Sequence, residues 1–156
     1  MTQTGRKVRR WLFRTYFLLR RPMTLGVRAA VLDEAAGTVF LVRHTYLPGW
    51  HLPGGGVETG ETFAEALAKE LREEGNIELT GPAELFALYM NAHASRRDHA
   101  ALYVCRHFRQ RGPRLANWEI AEVGFFPLDA LPEGTTASTR RRLKEILEGE
   151  TPTELW

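Results

Sequence analysis

The alternation of apolar and polar positions predicts a mixed α/β chain. Leu25–Leu32 and Thr38–Arg43 are rich in apolar and β-branched residues and flank a glycine-bearing turn, so they predict a β-hairpin. The glycine- and proline-rich segment His44–Gly56 predicts a loop. Further strands are predicted at Leu85–Asn91, Ala101–Phe108 and Val123–Leu128, and helices at Phe63–Gly75 and Ser138–Glu148. This order of elements predicts a mixed β-sheet with helices packed on it, an α/β fold.

A separate amphipathic helix is predicted over residues 5–21, ahead of the sheet. At about 100° per residue, most apolar positions and the basic positions fall on opposite arcs, and Pro22 ends the helix. We expect this helix to pack on the rest of the chain or on a second copy in a homodimer. Contact with a membrane surface or with nucleic acid is the alternative, because basic amphipathic helices with aromatic residues suit both. The predicted organisation is a helix at 1–22, a main domain at 23–150 and a tail at 151–156.

Composition narrows the class of protein. The chain has 156 residues, 44% of them hydrophobic and 26% charged, which suits one globular domain with its own core. The net charge of +2 divides unevenly: residues 1–21 hold seven bases and no acid, whereas the remainder holds 14 bases and 19 acids. The single cysteine, Cys105, cannot form an internal disulfide, and no apolar run reaches the roughly 20 residues of a membrane span. We therefore expect a cytoplasmic protein.

Three carboxylates are crowded onto the helix that follows the glycine-rich loop. A capping box at Thr62 marks the start of this helix. On a helical wheel, Glu70 and Glu74 share the apolar face and Glu73 lies at its edge, while the nearest bases point the other way. Buried carboxylates without a positive partner are costly and resist ionising together, and a divalent cation with oxygen ligands removes that cost. The pattern predicts an Mg²⁺ or Mn²⁺ site. The alternative is an ordinary glutamate-rich helix with lysine or arginine partners.

The spacing of the loop and helix resembles a known signature. Gly55 is followed after five residues by Glu61, and after seven more by Lys69-Glu70-Leu71-Arg72-Glu73-Glu74-Gly75-Asn76-Ile77. This resembles the Nudix hydrolase signature G-x5-E-x7-R-E-U-x-E-E-x-G-U, where U is aliphatic, and seven of nine fixed positions match. Lys69 replaces the arginine of the signature. Lysine keeps the positive charge but lacks the planar guanidinium that can donate two parallel hydrogen bonds to a carboxylate. Asn76 replaces a glycine, and asparagine is the best substitute for glycine in a left-handed conformation.

The resemblance implies an α/β/α sandwich over roughly Leu25–Leu147. It implies a hydrolase that cleaves the diphosphate linkage of a nucleoside diphosphate joined to another group, of the nucleoside triphosphate or nucleotide-sugar type. It implies four metal ligands: the carbonyl of Gly55 and the carboxylates of Glu70, Glu73 and Glu74. Glu61 would steady the loop through Lys69. These expectations agree with the chemistry, because phosphoryl transfer needs charge neutralisation and a positioned water, and divalent ions supply both.

The general base and the substrate contacts are less defined by the sequence. The base is either a helix carboxylate, Glu73 or Glu74, or Glu119, which we favour as an extra metal ligand or base. Arg28 and Arg43 on predicted strands and Arg97 in a polar loop are candidate contacts for the nucleotide substrate. Three residues beside the glycine loop could stack on a base or pack in the core: Tyr46, Trp50 and His51.

Two other functions are compatible with the sequence. The fold could bind a nucleotide without cleaving it, as a sensor, although a pure binding module has no need of three metal ligands. Alternatively, the basic helix could be an RNA-binding or membrane-docking device on an RNA-end pyrophosphohydrolase, with Arg140–Arg142 adding positive charge.

Overall fold

The computed structural model describes the backbone of residues 3–156 and the side chains of residues 11–13 and 15–156. Along the chain the elements are α1 (Gln3–Arg20), β1 (Thr24–Asp33), β2 (Thr38–His44), α2 (Phe63–Gly75), β3 (Ile77–Leu79), β4 (Glu84–Met90), β5 (Asp98–Cys105), β6 (Phe108–Gln110), β7 (Ile120–Pro127) and α3 (Ala137–Glu148). The predicted hairpin and helices are present. The predicted strand Ala101–Phe108 is instead divided between β5 and β6. The sequence also missed β3, since three residues are too few to show a periodicity.

A mixed five-stranded sheet carries the fold. Its strand order is β4-β5-β1-β2-β7, in which β5 and β1 are parallel and the other neighbouring pairs are antiparallel. A second, two-stranded sheet pairs β3 with β6. The predicted mixed sheet flanked by helices is therefore confirmed.

Two hydrophobic cores lie on opposite faces of the large sheet. Strand β1 contributes side chains to both cores, because successive side chains alternate between the two faces of the sheet. Val27, Ala29 and Val31 pack in one core, and Ala30 and Leu32 pack in the other. The first core is closed by buried residues of α2 and the second by α3. This arrangement is an α/β/α sandwich, and it fixes α2 against one face of β1.

Strands β1 and β2 pair beside their turn and then separate, and the glycine-rich segment 50–57 lies between them. The two strands pair directly beside the turn at 33–38. Farther along, segment 50–57 comes between them, and the amide of Val27 donates to the carbonyl of Gly55 at 2.9 Å. On its other side the segment bridges to β2. Segment 50–57 is therefore anchored by backbone hydrogen bonds next to α2, although the sequence predicts only a loop there.

Helix α2 begins and ends as the sequence predicts. The Thr62 side chain accepts from the amide of Glu65, and the Glu65 carboxylate accepts from the amide of Thr62, which completes the capping box. At the other end Asn76 is left-handed, with φ 53° and ψ 32°, and its amide donates to Arg72. Both caps satisfy backbone groups that a helix end leaves unpaired, so the position of the carboxylates along α2 is well defined.

An arginine buried in α3 holds the C-terminal tail. Arg142 is fully buried and forms an ion pair with Glu145 at 2.8 Å. Its guanidinium lies 4.2 Å from the centroid of the Tyr89 ring, and its Nη1 donates to the carbonyl of Leu155 at 2.9 Å. The amide of Trp156 donates to β4. The expectation that all of Arg140–Arg142 adds positive charge to the surface is therefore wrong for Arg142, because the tail covers it.

Helix α1 does not bury its apolar face in the way the sequence led us to expect. Among its described side chains, every large apolar residue is exposed: Trp11, Leu12, Phe13, Tyr16, Phe17, Leu18 and Leu19. Packing of this face on the body is thus not seen for residues 11–13 and 15–20. In the described part of the chain, no helix is long and apolar enough to cross a membrane.

Candidate metal and substrate site

The most buried carboxylate of α2 faces the glycine loop. Glu74 is 5% exposed and accepts a hydrogen bond from the amide of Gly54 at 2.7 Å. Burial raises the pKa of Glu74 to about 8; the Gly54 hydrogen bond and the charge of Arg28 oppose this, and the charge of Glu70 adds to it. A carboxyl group in this environment holds its proton near neutral pH unless a positive charge arrives. Cation binding and ionisation of Glu74 are therefore coupled.

Glu70 lies directly against Gly55. A β-carbon added at Gly55 would lie only 2.4 Å from Glu70 Oε1, so the missing side chain makes room for this carboxylate. Burial raises the pKa of Glu70, and the charge of Glu73 adds to the effect, while Lys69 and Arg28 oppose it. The carbonyl of Gly55 accepts from Val27, which uses one of its two lone-pair directions and leaves the other free.

Glu73 occupies the exposed edge of the same face. Its side chain is exposed, and its carbonyl accepts from the guanidinium of Arg114 at 2.6 Å. This agrees with the helical wheel, on which Glu73 lies at the edge of the apolar arc.

The loop after the glycines is held by an ion pair with α2. Lys69 Nζ lies 3.0 Å from Glu61 Oε1 and 3.5 Å from Glu58 Oε1. The backbone amide of Glu58 also donates to Glu61. The hydrogen bond from Glu58, followed by that from Lys69, lowers the pKa of Glu61. Glu61 therefore links the loop to the helix while ionised.

One basic side chain of the sheet lies beside Glu74 and the charge of a second acts on the carboxylates, and the helical wheel of α2 could not reveal either. The Nε2 atom of His44, at the end of β2, lies 3.6 Å from Glu74 Oε1, and both side chains are less than a tenth exposed. Arg28 on β1 donates to the carbonyl of Val27, and its charge acts on Glu70 and Glu74 as described above. The expectation that no positive charge acts on these glutamates is therefore wrong for Arg28.

The histidine is itself held uncharged. Burial lowers the pKa of His44, and the nearby His51 and Arg28 lower it further. Among the described residues, His44 Nδ1 has no hydrogen-bond partner. The Glu74–His44 contact is thus a close approach of two neutral groups near neutral pH, and it does not neutralise Glu74.

Glu119 approaches the same region from the segment before β7. It is partly buried, and its carbonyl accepts from the amide of Thr45 at 2.9 Å. The hydroxyl of Tyr46 lies 3.4 Å from Glu119 Oε1, and the Tyr46 ring lies 5.2 Å from the His44 ring. A pocket of about 400 Å³, lined by residues 43–49, opens beside them.

The other candidate substrate residues lie farther out. Arg43 is exposed and forms an ion pair with Glu122 at 2.5 Å. Arg97 is exposed in the β4–β5 loop, where its carbonyl accepts from the amide of Thr24. Trp50 is buried in the second core against Phe126, which favours its packing role over base stacking.

The donor set fits a hard divalent ion. Within the described residues, no three acidic, histidine or cysteine side chains are already arranged to hold a metal. Mg²⁺ does not need such a cage, because it keeps several waters and is bound through one or two carboxylates together with substrate phosphates. Glu70 and Glu74 supply oxygen donors, and burial disfavours their charge in the absence of a cation. The residues present therefore fit a site of this kind.

Fold and site together define an α/β/α sandwich with a carboxylate helix beside a glycine loop. A family model of the NUDIX domain matches residues 22–146. The chain therefore belongs to the NUDIX family.

Solved structures agree with the family. A MutT NUDIX hydrolase from Burkholderia pseudomallei is 29% identical with a TM-score of 0.67, over 79% of this chain and 97% of that one. An ADP-ribose pyrophosphatase from Streptococcus suis is 26% identical with a TM-score of 0.60, over 85% and 96%.

The curated relatives match this chain over a smaller share of their own length. The Bacillus subtilis protein YjhB, provisionally assigned as an ADP-ribose pyrophosphatase, is 32% identical over 68% of this chain and 51% of its own length. An RNA pyrophosphohydrolase of Xanthomonas campestris is 48% identical, but over only 28% of this chain and 22% of its own length. The chain thus spans about half or less of the curated relatives it matches.

Proposed function

We propose that the protein is a divalent-metal-dependent pyrophosphohydrolase. Its substrate is a nucleoside diphosphate joined to another group, of the nucleoside triphosphate or nucleotide-sugar type. The observation that carries the proposal is the pair Glu70 and Glu74, two carboxylates whose charge is disfavoured by burial and which lie against Gly54 and Gly55. NUDIX membership and relatives named pyrophosphatase or pyrophosphohydrolase support the same reaction class.

In this proposal the bound ion is held by Glu70, Glu73, Glu74 and the carbonyl of Gly55. Mg²⁺ or Mn²⁺ would neutralise charge on the phosphate oxygens and lower the pKa of a water. Glu61 and Lys69 keep the loop beside α2. Glycines at the loop let backbone groups come close to an anionic substrate.

Glu119 is proposed as the base or as an additional ligand. It is partly buried, its side chain lies beside the hydroxyl of Tyr46, and its charge acts on both Glu70 and Glu74. Glu73, the alternative base, is exposed. A base must reach the attacking water, so pH–rate profiles of Glu119→Gln and Glu73→Gln should differ, and the variant that loses the acidic limb identifies the base.

Arg28 is the best placed of the proposed substrate arginines. It is partly buried on β1 and its charge reaches the carboxylate pair, so it could bind a phosphate that also meets the ion. Arg43 and Arg97 are exposed and would contact only the outer part of a substrate. Arg28→Gln should therefore lower turnover more than Arg97→Gln does.

The test is a screen of nucleoside diphosphate compounds with Mg²⁺ or Mn²⁺, with products identified by mass. The screen should include RNA with a 5′-triphosphate. Glu73→Gln should lower turnover by about two or more orders of magnitude with the fold intact, because it removes charge and little volume. Glu133→Gln, at an exposed glutamate outside the site, is the matched control. Substrate binding with no product in the wild type would instead indicate a sensor, and wild-type rates in Glu73→Gln would reject its role.

A further inference from the structure

Helix α1 presents large apolar side chains to solvent. Trp11 is 64% exposed, Leu18 66% and Leu19 76%. On the helical wheel the positions of Leu12 and Tyr16 fall on the same arc as these three residues, and their side chains are also exposed. Monomeric proteins rarely expose a contiguous apolar patch of this kind unless something binds there.

The apolar surface continues onto the edge of the domain. Pro22 ends the helix and β1 begins two residues later, so the connection is short. Met23 and Leu25 are exposed on this connection and the first turn of the strand. A surface that received α1 would therefore hold the whole domain close to it.

On the same wheel, the basic positions of the sequence fall on the opposite arc. Residues 1–21 contain seven arginine and lysine residues and no acid. Phe13 and Phe17 fall on this basic arc, and the guanidinium of Arg21 lies 5.5 Å from the centroid of the Phe17 ring. The segment thus combines a Leu- and Trp-bearing arc with a charged arc that carries aromatic rings.

Charge and chemistry decide between the candidate partners. Pairing with α1 of a second copy would bury the apolar arcs but would leave both basic arcs, each with seven bases and no acid in its segment, without an anionic partner. RNA would use the basic arc but would leave the leucine side chains in water. An anionic membrane uses both arcs: lipid phosphates bind the arginines, and the acyl boundary buries the leucine and tryptophan side chains.

We propose that α1 lies in the plane of an anionic membrane surface and docks the NUDIX domain there. The proposal concerns where the domain acts and does not depend on which diphosphate it cleaves. Aromatic residues lie on both arcs, and amphipathic aromatic side chains are enriched at the depth of the lipid headgroups. Arginine side chains reach past apolar surface to the phosphates.

Flotation of the full chain with vesicles tests the proposal. Vesicles with about one-third phosphatidylglycerol should bind the protein, and pure phosphatidylcholine vesicles should bind at least tenfold less. Binding should weaken as salt rises toward about 0.5 M, because exposed charges are then screened. Arg20→Gln with Arg21→Gln should bind less tightly and with a flatter salt dependence.

A matched pair of leucine variants isolates the apolar arc. Leu19→Glu and Leu115→Glu change the charge equally at residues that are 76% and 75% exposed, but only Leu19 is in α1. Leu19→Glu should weaken vesicle binding by about tenfold or more, the expected effect of losing one buried leucine, and Leu115→Glu by no more than about twofold. Equal behaviour of the two variants would overturn the proposal.

Two other assays test the competing partners, which are RNA and a second copy of the chain. If a single-stranded RNA binds tightly through residues 1–21 while anionic vesicles do not, the proposal is wrong and α1 binds RNA. If sedimentation shows a dimer that Leu19→Glu dissociates, without vesicle binding by the wild type, α1 is a subunit interface. Hydrolysis of the soluble substrate should be unchanged in Leu19→Glu, so failure of membrane docking is distinguishable from failure of the proposed function.

Discussion

An alanine at Gly55 should disturb the site without disturbing the fold. The added β-carbon would lie 2.4, 2.5 and 2.8 Å from Oε1, Cδ and Oε2 of Glu70. Carbon atoms and oxygen atoms in ordinary contact are about 3.5 Å apart, so the carboxylate must withdraw by about 1 Å. Gly55 is not among the residues with positive φ, so alanine adds no backbone strain. The flexible end of Glu70 moves, and the backbone can stay.

A shift of this size is large for a metal ligand. Ligand distances in metal sites hold to about 0.2 Å, and a misplacement of about 1 Å near the chemistry costs on the order of a hundredfold in rate. We therefore expect Gly55→Ala to lower turnover by about ten- to a hundredfold and to weaken apparent metal affinity. Its free energy of unfolding without metal should change by no more than about 1 kcal/mol, because Glu70 is only partly buried.

The adjacent glycine supplies the control. At Gly56 an added β-carbon would meet no atom within 4 Å, and its φ is not positive. Gly56→Ala should therefore keep turnover within about twofold. Melting temperature measured against Mn²⁺ concentration gives a readout that needs no substrate, since a ligand of the folded state raises it. Equal metal responses in the two variants would refute the placement of Glu70 in the metal site.

Three further predictions test the charged groups. Without metal, the contribution of Glu74 to stability should fall by on the order of 4 kcal/mol as pH rises from 4.5 toward 8, because the pKa of Glu74 is about 8 in the folded state, above the unfolded value of 4.5. The lowered pKa values of His44 and His51 act in the opposite direction below about pH 6.5, so the Glu74 contribution is read from the difference between wild type and Glu74→Gln. In urea titrations with chelator, the difference in stability between wild type and Glu74→Gln should change by that amount across this pH range, and a pH-independent difference would contradict the burial argument. Lys69→Arg should keep turnover within about tenfold, since arginine can also pair with Glu61; a larger loss would show that the loop depends on lysine. Arg142→Met should destabilise the protein by about 3 kcal/mol by leaving a buried carboxylate unpaired, whereas Arg141→Met should have little effect on denaturation.

The parts of the site that lie on one helix could be predicted from the sequence. Periodicity within α2 is local, so the burial of Glu74 and the exposure of Glu73 follow from their angular positions on the wheel. The capping box at Thr62 fixes the start of the helix with a few neighbouring residues. The roles of these residues in metal binding remain predictions.

The parts that depend on pairing between distant segments could not be predicted in this way. His44 lies beside Glu74, and the charge of Arg28 acts on Glu70 and Glu74. Both residues lie on strands that separate to admit segment 50–57, and no local sequence pattern predicts that separation. The position of His44 in the sequence does point to it as a candidate site residue, because it ends a strand and begins the glycine-bearing loop. The run of three arginines predicts solvated surface charge, but the C-terminal tail buries Arg142.

The two departures from the family signature show how this chain compensates locally. The ammonium group of Lys69 cannot donate two parallel hydrogen bonds to a carboxylate as a guanidinium can. It instead forms ion pairs with both Glu61 and the exposed Glu58. Asn76 adopts the left-handed conformation that glycine would adopt, and its side chain also donates to the carbonyl of Pro113 at 3.1 Å. A glycine could not make that contact, which ties the end of α2 to the segment leading to Glu119. The substitution therefore adds a contact between the end of α2 and one end of segment 113–119, whose other end is held by the hydrogen bond from the amide of Thr45 to the carbonyl of Glu119.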